Sequence, residues 1–207
     1  MAMGRIGLSL TISESLVQPF GGKQAMLGTN PTAIGIPSGQ APFIYDLATS
    51  LVSMGKIHHH ALTQTPMAEG WPVDTNGRAT TDTEAAKTGA IAPFEEAKGY
   101  GLGLALELLV SALAGTAFAP DVRGTLDAKN PANKEDVTML IDQATKGGTG
   151  AQLAEYLYRP RISRPADPDR PVAVPADRMR ARPAAALTQG IDLPDTLFEA
   201  LRGLVPH

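Results

Sequence analysis

A mixed α/β architecture follows from three features of the sequence. Short β-branched, apolar runs alternate with helical patterns. The 207 residues are enough chain for one domain, or for one domain with an appendage. Apolar residues make up 43% and charged residues 19%, a globular balance rather than a disordered one.

The elements follow in order. Arg5 to Ile12 has the density of a strand. Val17 to Pro31 reads as loop, punctuated by Gly21-Gly22, Gly28 and Asn30-Pro31. Ala33 to Pro37 and Pro42 to Leu47 form two strands around the turn Ser38-Gly39-Gln40, and the second runs into a helical pattern from Thr49 to Leu62. Thr63 to Lys87 is polar and turn-rich, and Ile91 to Phe94 reads as a further strand. Residues 97 to 115 form the strongest helix, ended by Gly115. Leu102, Leu106, Leu109 and Leu113 make one stripe, and Leu104 and Leu108 a second, so the helix is expected to be apolar nearly all round and central. Val137 to Ile141 is a strand and Ala151 to Tyr158 a short helix. The composition then changes, which sets a boundary between an α/β domain (1–158) and an Arg/Pro-rich arm with a terminal helix (159–207). Between 159 and 183 lie seven arginines and six prolines, a pattern expected to give an extended arm laced with ion pairs. Asp195 to Leu204 closes the chain as a helix with Leu197, Leu201 and Leu204 on one face.

Charge and composition exclude several functions. Eighteen basic against 21 acidic residues leave a net charge of −3, so no overall positive field exists to recruit nucleic acid or an anionic membrane. The absence of cysteine removes disulfides, thiol nucleophiles and Cys-based metal sites, and fits a reducing compartment. The N-terminus lacks a basic region followed by an apolar run, so no signal peptide is expected, and the expected location is cytoplasmic. The apolar run from Gly101 to Phe118 is interrupted by Glu107 and Ser111 and is expected to be a buried helix, not a membrane span.

Among the constellations, KGYGLG at 98–103 places three glycines ahead of a helix beside Lys98. Backbone N–H groups there could approach an anion, or the glycines could allow close packing of the helix start. GGTG at 147–150 offers the same two readings, the turn being favoured. Neither segment meets the Rossmann or P-loop fingerprint. His58, His59 and His60 are adjacent, whereas a helical zinc pair wants i, i+4 spacing, so no metal is assigned. Asp46, ending an apolar strand, suits a sugar hydroxyl or a helix cap equally.

Several segments together, in order, carry a resemblance: PFGGKQAMLGTNPTAIGIPSG, FIYDLATS, GWPVDTNGRATTD, AKGYGLGLALELL, VPADRMRAR and GIDLP. They resemble the type-2 malate/L-lactate dehydrogenase family, whose relatives include ureidoglycolate dehydrogenase, 2,3-diketogulonate reductase and sulfolactate dehydrogenase. The resemblance implies a mixed-sheet, non-Rossmann NAD(P)-binding fold and hydride transfer between NAD or NADP and 2-hydroxy or 2-oxo acids. It also implies a homodimer. The cofactor-binding positions it implies are Ser13, the strand end Tyr45-Asp46-Leu47-Ala48, Lys98, and the loop Pro175-Ala176-Asp177.

The departures are as informative. Ile12 stands where the family has Asn, Ala176 where it has Gly, and Glu135 in place of a glycine. Ala176 is expected to obstruct a backbone conformation that glycine allows. The family's histidine-bearing segments, which supply the proton-transfer histidine and a substrate arginine, are absent, so no catalytic residue is assigned. Met1 is expected to correspond to a position well over a hundred residues into a family member. The expectation is a cofactor-binding portion that turns over weakly or not at all by itself; the alternative is a non-catalytic nucleotide-binding or subunit-interaction remnant.

Overall fold

The computed structural model describes residues 4–39, 41–126, 129–142 and 149–204. Its main sheet has four strands in the order β3-β2-β1-β6, formed by β1 (Arg5–Thr11), β2 (Thr32–Ile36), β3 (Phe43–Leu47) and β6 (Asp136–Asp142). Every neighbouring pair in it is antiparallel. A two-stranded ribbon, β4 (Pro72–Val73) with β5 (Ala90–Ile91), stands apart, and Val17 makes an isolated parallel bridge to Ile91. Helices α1 (Met54–Leu62), α2 (Thr83–Thr88), α3 (Ala97–Ala114), α4 (Thr149–Arg161), α5 (Asp177–Gln189) and α6 (Asp195–Arg202) complete the α/β class.

Two apolar clusters hold these elements. One joins Val17, Leu27, Val52, Ile57 and Ile91, with half-buried Trp71 packed against it. The other joins Leu10, Ile12, Val110 and Val122 beneath β1 and α3. Ile12, the family's usual asparagine position, is 1% exposed; it has become part of the core.

Four expectations need correction. The helix placed at Thr49 begins at Met54, capped by Ser53, whose Oγ accepts from the amide of Lys56. Thr49 and Ser50 are withheld from it because they are buried and bonded elsewhere: Thr49 Oγ1 donates to the carbonyl of Thr29 (2.9 Å), and its own carbonyl accepts from the amide of Phe94 (3.1 Å). The strand placed at Ile91–Phe94 is confined to Ala90–Ile91. The polar stretch before it holds α2, whose signal was Asp82, an N-cap whose carboxylate accepts from the amide of Glu84 (2.9 Å). The arm is not extended throughout. From Asp177 it is helical despite Pro183, because the arginines, alanines and Met179 around that proline favour helix. The change in composition after Tyr158 falls within α4.

Helix α3 departs furthest. Its buried face carries Gly99, Gly103, Glu107, Val110 and Ser111, while Leu108 and Leu113 are 51% and 60% exposed. Spacing of four along 99, 103 and 107 presents small side chains and one carboxylate to the protein, which lets the helix axis approach neighbouring loops. The leucine-rich remainder points outward. By length and composition α3 could cross a membrane, and 28% of it is buried. Its end is as expected: Gly115 is left-handed (φ 68°), and its amide donates to the carbonyl of Ser111. The GGTG segment begins outside the described residues.

Candidate functional site

The C-terminal end of β3 opens into a groove made of adjoining hollows. One, of about 320 Å³, lies between Tyr45, Asp46 and Leu47 on one side and Ala173, Pro175 and Ala176 on the other. The next, of about 530 Å³, continues from the same strand end to Ala48, Ser53 and Phe94. A third, shallower one carries the groove past Arg178 to Arg170 and Asp167. The strand end is usable because β3 is an edge strand whose last two residues, Asp46 and Leu47, are exposed. Six of the nine positions implied by the resemblance thus lie around one groove: Tyr45, Asp46, Leu47, Ala48, Pro175 and Ala176.

The remaining three lie elsewhere. Ser13 follows β1, half-buried, with Oγ accepting from the amide of Thr29 (2.9 Å). It reaches the groove only through a relay, since the carbonyl of Thr29 accepts from both the amide and the hydroxyl of Thr49, the neighbour of Ala48. Lys98 is exposed in the first turn of α3, four residues beyond Phe94 of the groove wall, and does not itself line the hollows. Asp177 follows Ala176 directly but is not among the residues lining the groove. Its carboxylate accepts two bonds from Arg161, at 2.8 and 2.7 Å, and a third from the amide of Val174 at 2.9 Å. The Arg161 guanidinium holds this carboxyl below the usual carboxylate range, and Asp177 in turn raises Arg161.

Two of the three glycines of KGYGLG, Gly99 and Gly103, are packing positions, whereas Gly101 faces open space. A Cβ at Gly99 would fall on the carbonyl oxygen of Phe94, and one at Gly103 would lie 2.9 Å from Thr49 Oγ1. They bring α3 against the strand end and the groove wall. Sequence spacing admitted this reading but could not identify the surfaces that meet.

Ala176 takes the left-handed conformation that its place in a glycine position foreshadowed, with φ 75° and ψ −10° just before α5. An L-residue pays roughly 1–2 kcal/mol there. Ala176→Gly is therefore expected to raise stability by about 0.5–1 kcal/mol after glycine's greater unfolded-state freedom is subtracted. A melting temperature higher by about 1–4 °C is the expected reading at this chain length; an unchanged or lower one counts against the strain.

Two arginines were not singled out. Arg178 lines both arms of the groove and Arg170 one of them. Neither guanidinium has a partner among the described residues, whereas Arg159 pairs with Glu155 and Arg161 with Asp177. Their charge was legible; their freedom was not. His58, His59 and His60 sit on α1, away from the groove lining. His58 and His59 are exposed, and the His60 ring meets Thr65 Oγ1 (2.9 Å) and the edge of Trp71. No group of three His, Asp or Glu suited to a metal occurs among the described residues.

Comparison with known proteins places this geometry. The malate/L-lactate dehydrogenase family profile matches residues 1–202. The chain is 34% identical over 202 residues to the L-sulfolactate dehydrogenase of Methanothermobacter thermautotrophicus, covering 96% of this chain and 58% of that protein. It is 35% identical over 209 residues to the Delta(1)-pyrroline-2-carboxylate reductase of Pseudomonas fluorescens, with coverage of 98% and 60%. Among solved structures, a dehydrogenase from Sinorhizobium meliloti superposes with a TM-score of 0.92 at 59% identity, covering 98% of this chain and 60% of that one. The sulfolactate dehydrogenase from Methanocaldococcus jannaschii gives 0.83 at 32% identity, covering 98% and 59%. The chain thus spans about three fifths of the length of these relatives. By this match in sequence and fold, it belongs to the malate/L-lactate dehydrogenase family.

Proposed function

We propose that this chain is the dinucleotide-binding part of an oxidoreductase acting on 2-hydroxy or 2-oxo acids, with NAD or NADP in the groove at the end of β3. The observation that carries the reading is the meeting of Tyr45–Ala48 with Pro175–Ala176 around one groove. The donor set suits the ligand. Asp46 offers an exposed carboxylate to ribose hydroxyls. Half-buried Tyr45 offers a flat apolar wall. Arg178 and Arg170 offer unpaired forks to phosphate oxygens. Lys98 adds positive charge near the Phe94 wall. A bound dinucleotide would donate the hydride through its reduced nicotinamide to a 2-oxo acid, or accept it through the oxidised ring from a 2-hydroxy acid.

Calorimetric titration with NADH and NADPH tests the reading. Saturable binding is expected, and Asp46→Ala is expected to weaken it about 10-fold or more, the effect of one hydrogen bond to a charged group. Absence of binding to both nucleotides would refute it. Reduction of pyruvate, oxaloacetate or glyoxylate is expected to be slow, because α1 carries its histidines away from the groove lining and a positioned acid contributes about 10²–10⁴-fold. Turnover at an ordinary dehydrogenase rate would overturn that part. A cytoplasmic setting belongs to the same proposal, supported by the absence of cysteine.

The exposed leucines of α3 favour a second reading alongside the first, in which this portion also serves association. We infer a homodimer, supported by the exposed leucines of α3, Leu102, Leu109 and Leu113 along one stripe and Leu104 and Leu108 along the other. Light scattering is expected to show a mass above that of one chain at micromolar concentration, and a clean monomer contradicts it.

A further inference from the structure

The wall of the groove contributed by Ala173–Ala176 is thin. Val174 and Pro175 face the hollow beside Asp46 and also a second hollow of about 250 Å³ behind them, lined by Ser38, Phe43 and Leu157. Hollows flank it on both sides, and Val174, 7% exposed, is the one buried side chain of the four, so hydrogen bonds share with packing the work of holding this wall. Ala176 adds strain to it with its left-handed backbone.

The bonds that hold the wall are centred on Asp177. Its carboxylate accepts from the amide of Val174 (2.9 Å), and its own amide donates to the carbonyl of Val174 (3.0 Å). The same carboxylate is gripped by both forks of Arg161 on α4, and Arg161 is tied to its own helix through the carbonyl of Leu157 (3.1 Å). Arg180 stands 3.8 Å from Asp177 and donates to the carbonyl of Pro42, joining α5 to the turn before β3. The two charged side chains of the main pair are 34% and 26% exposed, so their bidentate geometry is partly shielded from water.

We propose that Arg161 is a positioning residue for the dinucleotide, acting through Asp177 to hold the Ala173–Ala176 wall at the width the groove needs beside Asp46. Arg161 reaches the smaller hollow behind the wall and does not line the groove in front. Its effect is therefore indirect. It should act alike on NADH and NADPH, because it touches neither. The proposal rests on the reading of the groove as a dinucleotide site.

The test is calorimetric titration of the full chain with NADH and with NADPH, for the unaltered protein, Arg161→Met and Arg161→Lys, at a temperature well below each variant's melting point. Arg161→Met is expected to weaken both nucleotides about 10-fold. Arg161→Lys, which keeps the charge but loses the fork, is expected to recover part of that loss. A purely structural arginine would lower the melting temperature of Arg161→Met and leave its affinity unchanged, and that result overturns the proposal. Loss for one nucleotide only would also overturn it, since it would mean direct contact. If the unaltered protein binds neither nucleotide, the functional reading fails, and this inference with it. Binding by the unaltered protein with equal affinity in Arg161→Met removes only the positioning role.

Discussion

Glu107→Leu is expected to lower stability by about 3–5 kcal/mol. Glu107 is 4% exposed in the middle of α3. Its Oε2 accepts from the amide of Gly28 (3.2 Å) and from Nδ2 of Asn30 (2.9 Å), and its Oε1 from the amide of Ala119 (2.8 Å). No cation partners it among the described residues. The three N–H groups take its place as neutralising dipoles. An apolar replacement of similar size leaves these donors buried and unsatisfied at roughly 1–3 kcal/mol each, and Asn30 Nδ2 keeps one bond to the carbonyl of Gly103. Glu107→Gln should lose less, because one acceptor oxygen survives. Denaturant midpoints measure both; a loss below about 1 kcal/mol for the leucine variant would show that the network is not what fastens α3 to the loops at 28–30 and 119.

Gly99→Ala and Gly101→Ala should move stability in opposite directions, although they lie two residues apart in one helix. Propensity alone favours alanine by roughly 0.8–1 kcal/mol at either place. At Gly101 nothing lies within 4 Å of the added carbon, and that gain should be realised. At Gly99 the carbon would meet the Phe94 carbonyl oxygen and lie 2.9 Å from the Phe94 ring. The obstruction is backbone, and Phe94 is itself pinned by its amide bond to Thr49 (3.1 Å). Overpacking against a fixed backbone costs 1–3 kcal/mol or more, which exceeds the propensity gain. A net loss of about 2 kcal/mol or more at Gly99 is expected, with a gain at Gly101. Equal melting temperatures for the two variants would argue that α3 does not pack on the groove wall as described.

Much of the fold was legible. The runs at 5–12, 33–37, 42–47 and 137–141 are strands in the structure to within a residue or two, because β-branched and apolar residues bounded by Gly and Pro leave few other conformations open. The start of α2 lies in the stretch read only as polar and turn-rich, where Asp82 caps the helix by accepting from the amide of Glu84. The site was legible in part. Tyr45 to Ala48 and Pro175-Ala176 lie far apart in sequence, and the resemblance alone linked them; the structure brings them to one groove. Asp177 was assigned to the same set; in the structure its carboxylate is engaged by Arg161.

By itself the sequence determined what is local: the main-sheet strands, the α3 helix with its left-handed stop at Gly115, the glycine-like position of Ala176, and a net charge of −3. Apart from the charge, a sum over the chain, these depend on a residue and its nearest neighbours. Tertiary structure decided which face of α3 is inside. Hydropathy ranks its leucines above Gly99, Gly103 and Glu107, yet the glycines and the carboxylate are buried. Close backbone approach and three converging amides reward small size and hydrogen-bond capacity at those positions, and such rewards exist only once distant segments have met.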